Sequence, residues 1–315
     1  MFWKRHRRGT EQPTGLTTEH VRWAYRLFLD REPENEEVLR STARVIPTTP
    51  ELRRAMMSSE EYRAHAVADA FHGSSIRVVS ILDDGLRVCI DLADAVSGAG
   101  VALGMGEVEE RRWIRDTLRA GDVALDLGAN VGLLTVTMAA AVGGSGHVVS
   151  FEPLPAAAEM LKISVRENGF EDRVRIEAAA VGDHGGTVHL LDAPNGNLSA
   201  SHLVGEADTR ATVEALMVTL DGQDLPRPVR LIKADIEGAE PLAFTGAERL
   251  LREDRPLILC EVNPVRLPEV AGISAREFIG QMLERGYGCT ALDGSAISEV
   301  TGTVPVSAVF RPRQA

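Results

Sequence analysis

The stretch VALDLGANVGLLT, residues 123–135, constrains the fold of this chain more than any other. Apolar Val123, Ala124 and Leu125 lead to Asp126, and the chain then passes through Gly128, Ala129, Asn130, Val131 and Gly132 into an apolar segment able to be helical. A short buried strand that breaks at glycines and continues as a helix is the unit of a parallel sheet, with the turn open for a ligand. Gly128 and Gly132 carry no Cβ to keep a ligand from the backbone, and the helix start offers N–H groups lacking an intrahelical acceptor. The spelling is not G-x-G-x-x-G, because Asn130 stands at the middle glycine and the acid comes two residues before the first. A dinucleotide pyrophosphate needs the bare loop, so this turn favours a different nucleoside ligand, S-adenosylmethionine.

Downstream, strand and helix patterns alternate. HVVSFEP reads as the second strand, PAAAEMLKISVRENG as a helix and RVRIEAAAVG as the third strand. TVHLLDA and VEALMVTLD, separated by a Gly/Asn/Ser loop, read as an inserted β excursion. VRLIKADIEGAE and RPLILCEVNP are the fourth and fifth core strands, and VPVSAVFRP is the last. Such alternation specifies a doubly wound α/β sheet. Ahead of it, IRVVSIL and LRVCIDL flank Asp83, Asp84 and Gly85 as a β-hairpin, and Gly98, Gly100, Gly104 and Gly106 mark a loop before the helix EVEERRWIRDTLRAG. Residues 16–72 read as a small helical module, with Thr18 as a helix cap and Val21, Tyr25 and Phe28 on one face beside Ala24 and Leu27. The remainder, 73–315, forms the main domain, its core starting near residue 107.

A chain of 315 residues that is 44% hydrophobic buries one large domain and a small appendage. Its net charge of −12 argues against a broad nucleic-acid surface, so no nucleic-acid partner is expected. Residues 1–15 run the other way, as a disordered basic tail: Lys4, Arg5, Arg7 and Arg8 with Phe2 and Trp3 suit at most weak association with an anionic membrane surface. No apolar run long enough for a membrane span or a signal peptide is present, so stable membrane insertion is not expected. Cys89, Cys260 and Cys289 are widely spaced in apolar surroundings and fit buried thiols of a cytoplasmic protein.

Several polar residues fall where such a sheet binds ligands. Glu152 ends the second strand 26 residues after Asp126, where a carboxylate accepts from both ribose hydroxyls; a strand-end glutamate capping the next helix has the same spelling. Asp126 either orients the glycine loop or meets the ammonium of the cofactor. Strand alternation puts Leu231, Lys233 and Asp235 on one side, with Asp235 at the carboxyl end and Glu261 at the equivalent end of the next strand. Asp235, Glu261 and Lys233 are the catalytic candidates, and Asp235 with Glu261 could hold a divalent cation such as Mg²⁺ or supply a general base. Equally, Lys233 pairs with Asp235 while Glu237 and Glu240 cap the next helix. The loop DAPNGNLSASHL offers Asn195, Asn197, Ser199 and Ser201 as hydrogen-bonding groups and His202 as a further base.

In this order, DLGANVG (126–132), FEP (151–153), RVRIEAAAVGD, VTLD (218–221), KADIEGAEPLAFTGAERLL (233–251) and LCEVNP (259–264) resemble the FkbM-type family of S-adenosylmethionine-dependent methyltransferases. Ser164, where the family often has asparagine, and Ala234 are departures outside the presumed cofactor site. The resemblance implies a seven-stranded class I methyltransferase (Rossmann-like) sheet and O-methylation of a sugar, glycan or secondary-metabolite hydroxyl. It implies that Asp126, Gly128, Asn130 and Glu152 bind S-adenosyl-L-methionine, with Gly132, Pro153 and Val181 completing the cofactor set. Asp235, Glu237 and Glu240 would shape the acceptor side. The expected partner is a small-molecule or glycan acceptor. A catalytically silent fold acting as a binding module is the alternative, and oligomeric state is not specified by the sequence. The segment around YRLFLDREPENEEVL resembles a helical module of bacterial cell-surface and glycan-related proteins.

Overall fold

The computed structural model describes residues 16–29, 31–71, 76–191, 201–204, 212–297, 300 and 302–313. The basic tail and the loop residues Asn195, Asn197 and Ser199 lie outside these. The chain divides into two compact units, Met1–Arg63 and Ala64–Ala315.

In the first unit, α1 (Thr18–Phe28), α2 (Glu36–Val45) and α3 (Thr49–Ser58) bury Val21, Ala24, Leu39, Leu52 and Met56 against one another. The cap of α1 is Thr17 rather than Thr18: its hydroxyl accepts from the His20 N–H while the His20 ring returns a bond to the Thr17 backbone. Leu27, expected on the packed face, is exposed, because α1 turns only Val21 and Ala24 fully inward.

α4 (Glu60–Ala70) runs across the boundary, and the second unit continues with the hairpin of β1 (Arg77–Ile81) and β2 (Arg87–Asp91). Residues 95–100, predicted as loop, form a π-helical turn, its first N–H groups taken by the Asp94 carboxylate. Gly98 permits this turn, since a Cβ there would lie 1.7 Å from the Asp91 carbonyl oxygen. Then come α5 (Val108–Thr117), β3 (Val123–Leu127), α6 (Leu133–Val142), β4 (His147–Phe151), α7 (Pro155–Glu167) and β5 (Val174–Glu177). The excursion is β6 (Ala180–Val181), β7 (Gly186–Leu191), β8 (Leu203–Val204) and β9 (Thr212–Val218). The core resumes with β10 (Val229–Ala234), α8 (Glu240–Thr245), α9 (Glu248–Glu253), β11 (Leu257–Val262), α10 (Arg266–Val270), α11 (Ala275–Glu284), β12 (Tyr287–Ala291) and β13 (Val306–Pro312).

Seven strands make the main sheet in the order β12-β13-β11-β10-β3-β4-β5, parallel except for β13, which runs antiparallel to both neighbours. This is the doubly wound order with one reversed strand slotted near an edge, and it places β3 and β10 at the switch point, where ligands bind. Apolar side chains on both faces follow from that burial: Leu125 and Leu127 meet Phe244, Leu250 and Phe278, while Ala124 and Leu231 meet Leu134 and Met138. The predicted third strand is two pieces. β5 stays in the main sheet, whereas the Ala179 N–H folds back on the Glu177 carbonyl and sends β6 into a separate four-stranded sheet beside β9. Ser164 ties hairpin to core: its hydroxyl donates to the Val131 carbonyl and accepts from the buried Cys89 N–H.

Candidate active site

A cavity of about 490 Å³ opens at the carboxyl ends of β3, β4, β10 and β11. One stretch of its wall is the glycine loop with Glu152, Pro153, Leu154 and Val181; another is Glu107, Lys233, Asp235, Glu237, Glu261 and Asn263. Ser201 and His202 also reach it, so part of the Gly/Asn/Ser loop does border the site.

The loop is held in left-handed backbone at Gly128 (φ 76°), Asn130 (φ 49°) and Gly132 (φ 92°). Asparagine is among the few side chains that tolerate this region, which is why it replaces a glycine at this point. Asn130 donates its backbone N–H to the Glu152 carboxylate at 2.7 Å and its side-chain amide to Ser97 in the π-helical turn at 2.8 Å. The glycines serve a purpose the sequence did not show. A Cβ on Gly128 would come within 2.0 Å of the Asp235 carbonyl oxygen, and one on Gly132 within 2.5 Å of Leu161. Gly128 therefore lets two loops cross and Gly132 lets α7 close on the turn; Gly132 is absent from the cavity wall among the described residues.

Behind the loop, alternation along β3 turns Asp126 to the α6 side, fully buried, where the Thr135 hydroxyl donates to it. It is absent from the cavity wall among the described residues and lies beneath the glycine loop. Lys233 pairs with Asp126 across the β10–β3 register. Its ammonium donates to the Gly128 carbonyl at 3.0 Å and stands 3.7 Å from both Asp126 and Asp235. Those carboxylates, with Glu107 and Glu261, outweigh burial and raise its pKa, which suits a permanently charged strut and not a proton acceptor.

Glu152 is 5% exposed and accepts from the Leu154 N–H at 2.8 Å as well as from Asn130, leaving each oxygen a lone pair toward the cavity. It thus caps the turn and lines the cavity at once. Burial pushes its carboxyl up to about 7 against the pull of those two N–H groups. Burial likewise pushes Glu237 up to about 7, with Asp235 adding repulsion and Arg266, 3.5 Å away, opposing. Glu261, beside the Asn263 amide, goes up to about 8 through burial and the charges of Asp235, Glu237 and Glu240. Glu240, first residue of α8, accepts from the Ile236 N–H and so holds the turn, also rising to about 8 by burial; it does not line the cavity.

Sequence reasoning missed Glu107. It lies in the glycine-rich stretch before α5, in left-handed backbone (φ 43°), and enters the wall beside Lys233 and Asp235. Glu107, Asn130, Glu237 and Arg255 are the non-glycine residues with positive φ among those described, and the first three line the cavity. Backbone strain gathered in this way is characteristic of binding sites.

No group of three or more His, Cys, Asp or Glu side chains able to hold a metal gathers among the described residues. Asp235 and Glu261, expected to hold a divalent cation, share their surroundings with the Lys233 ammonium, and this donor set does not fit such an ion. S-adenosylmethionine does fit. Its two cations suit a wall with five carboxylates and one lysine, and its ribose suits the open lone pairs of Glu152.

Sheet order, switch-point loop and acidic wall together define the fold of class I S-adenosylmethionine-dependent methyltransferases. Residues 126–289, just over half of the chain, match the methyltransferase FkbM domain, and the chain belongs to that family. No curated protein matches it. Among solved structures, methyltransferase FkbM from Methylobacillus flagellatus is 14% identical with a TM-score of 0.40, over 67% of this chain and 52% of that one. The chain therefore spans about half of that relative's length. A TehB-like SAM-dependent methyltransferase from Corynebacterium glutamicum is 17% identical with a TM-score of 0.39, covering 68% and 92%. Aeropyrum pernix fibrillarin, solved with natively bound S-adenosyl-L-methionine, is 13% identical with a TM-score of 0.37, covering 62% and 67%.

Proposed function

We propose that this protein transfers the methyl group of S-adenosylmethionine to a hydroxyl of a sugar, a glycan or a secondary metabolite. The observation that carries the reading is one continuous cavity joining the Glu152–Asn130 loop to the strand ends of Asp235 and Glu261. The cofactor supplies a methyl group already activated on a sulfonium, so the chain's task is chiefly alignment. Glu152 takes the ribose; Gly128, Asn130, Pro153 and Val181 shape the nucleoside end; Asp126 and Lys233 keep the loop in place. Asp235, Glu237 and Glu261 orient the acceptor by accepting hydrogen bonds from neighbouring hydroxyls. No helix among the described residues is long and apolar enough to cross a membrane. Three buried free thiols support a reducing compartment, the cytoplasm.

Radiolabelled S-adenosylmethionine, offered with sugars, glycolipids and lysate fractions with and without EDTA, tests this reading. Label should enter a neutral hydroxylated fraction, unchanged by EDTA because Lys233 stands among the acids. Absence of saturable S-adenosylmethionine binding by calorimetry sinks it, whereas binding without transfer to any fraction favours a silent binding module. The intact Glu152 contacts and the acidic strand ends weigh against that alternative.

A further inference from the structure

Five carboxylates line the cavity: Glu107, Glu152, Asp235, Glu237 and Glu261. The protein already engages four. Glu152 accepts from Asn130 and Leu154, Asp235 faces Lys233, Glu237 faces Arg266, and Glu261 accepts from Asn263. The Glu107 carboxylate differs, with no hydrogen bond or ion pair among the described residues.

Its backbone sharpens the contrast. Glu107 is the N-cap of α5, yet its side chain makes no capping bond and lines the cavity instead. A left-handed glutamate is disfavoured by about 1–2 kcal/mol, and glycine would relieve that strain. The residue also stands outside the segment 126–289 that carries the family match. Beyond its charge acting on Lys233, this strained and uncapped side chain makes no contact that holds the fold among the described residues, and it faces the cavity.

We propose that Glu107 accepts the hydrogen bond of the acceptor hydroxyl and takes its proton during methyl transfer. The inference rests on the methyltransferase reading above. As the acceptor oxygen bonds the methyl carbon, the carbon–sulfur bond breaks with its electron pair going to sulfur, which becomes a neutral thioether. The hydroxyl proton passes to Glu107 and then to solvent. The charged groups near enough to act on Glu107 are Lys233, Asp235, Glu110 and Asp126. Burial, with the three acids added and Lys233 opposing, pushes its carboxyl up to about 7, near the value that suits a base at neutral pH. Asp235 is less suited, since Lys233 already compensates its charge.

The test compares the full chain with Glu107→Gln and Glu107→Asp. Three quantities are measured: label transferred from S-adenosylmethionine to a glycan and small-molecule extract, S-adenosylhomocysteine affinity by calorimetry, and Tm at pH 8. Glu107→Gln should lower transfer by about 100-fold or more, with Glu107→Asp recovering part of it. S-adenosylhomocysteine affinity should stay within about twofold, and the Tm of Glu107→Gln should not fall, because an unpaired acid has been removed from among acids. Transfer by Glu107→Gln within about threefold of wild type overturns the proposal, as does a parallel loss of cofactor affinity or Tm. A wild-type chain that transfers no methyl overturns the methyltransferase reading itself, which is a separate result from an active wild type matched by Glu107→Gln.

Discussion

At the scale of single residues, the site is a compensated set of buried charges around a strained loop. Removing Lys233 leaves Asp126 buried with no cation near it, so Lys233→Met should cost about 3–5 kcal/mol in urea unfolding. The double variant with Asp126→Asn should recover a good part of that loss, and additive effects would refute the pairing. Gly128→Ala should cost more than about 2 kcal/mol, since its Cβ must push back the Asp235 carbonyl at positive φ. Glu152→Gln should weaken S-adenosylhomocysteine binding by about 10- to 100-fold in calorimetry, the worth of a hydrogen bond to a charged group. That Lys233 and Asp235 share one side of β10 was legible in the sequence, because side chains alternate with period two; that Lys233 meets Asp126 of β3 was not, because it depends on the register between strands. What faces a missing Cβ was not legible, because the Asp235 carbonyl reaches Gly128 only in the tertiary fold. Glu107 escaped notice for a related reason: nothing in the spelling GMGEVEE marks its glutamate as left-handed or as a neighbour of Lys233, 126 positions away.

At the scale of elements, strand order and helix placement were legible wherever hydrophobic runs were long and glycine or proline closed them. β3, β4, β10 and β11 are of that kind, and α7 and α11 end where their terminal glycines predict. Two elements were not legible. The π-helical turn at 95–100 depends on Asp94 capping and on Gly98 fitting over Asp91, neither of which has a periodic signature. The break between β5 and β6 falls inside an apolar run, and only pairing with β9 decides it. The hairpin of β1 and β2 shows how such elements are fastened. Its β2 strand is tied to the end of α7 by the Asn168 amide, which brackets the Arg87 backbone, and to both α7 and the glycine loop by the Ser164 hydroxyl. Ser164→Ala should leave the buried Cys89 N–H without an acceptor and cost about 1–3 kcal/mol. Hydrogen exchange should quicken at the Cys89 amide more than in β3; uniform acceleration across both would show that Ser164 is not a specific tether.

At the scale of the whole molecule, the acidic cavity makes stability and ligand binding respond to pH in opposite senses. Burial raises Glu107, Glu152 and Glu237 to about 7 and Glu240 and Glu261 to about 8, all from an ordinary value of 4.5. Between that value and about 8 the folded protein therefore holds more protons than the unfolded chain. Stability of the free protein must then fall as pH rises through this window, the reverse of the trend set by a salt-bridged carboxylate. Exposed acids held low by their partners, such as Asp83 and Glu277, have finished titrating below it and do not alter the sign. A cationic ligand acts the other way, because ionised carboxylates bind it better. S-adenosylmethionine carries the sulfonium charge that S-adenosylhomocysteine lacks, so the affinity ratio of the two should shift toward S-adenosylmethionine between pH 5.5 and 8.5. Paired calorimetric titrations at both values, with Tm of the free protein recorded alongside, measure both trends. A free-protein Tm that climbs steadily to pH 8.5, or a constant affinity ratio, would mean that these buried acids ionise as ordinary surface groups and that the charge of those lining the cavity does not select the methyl donor.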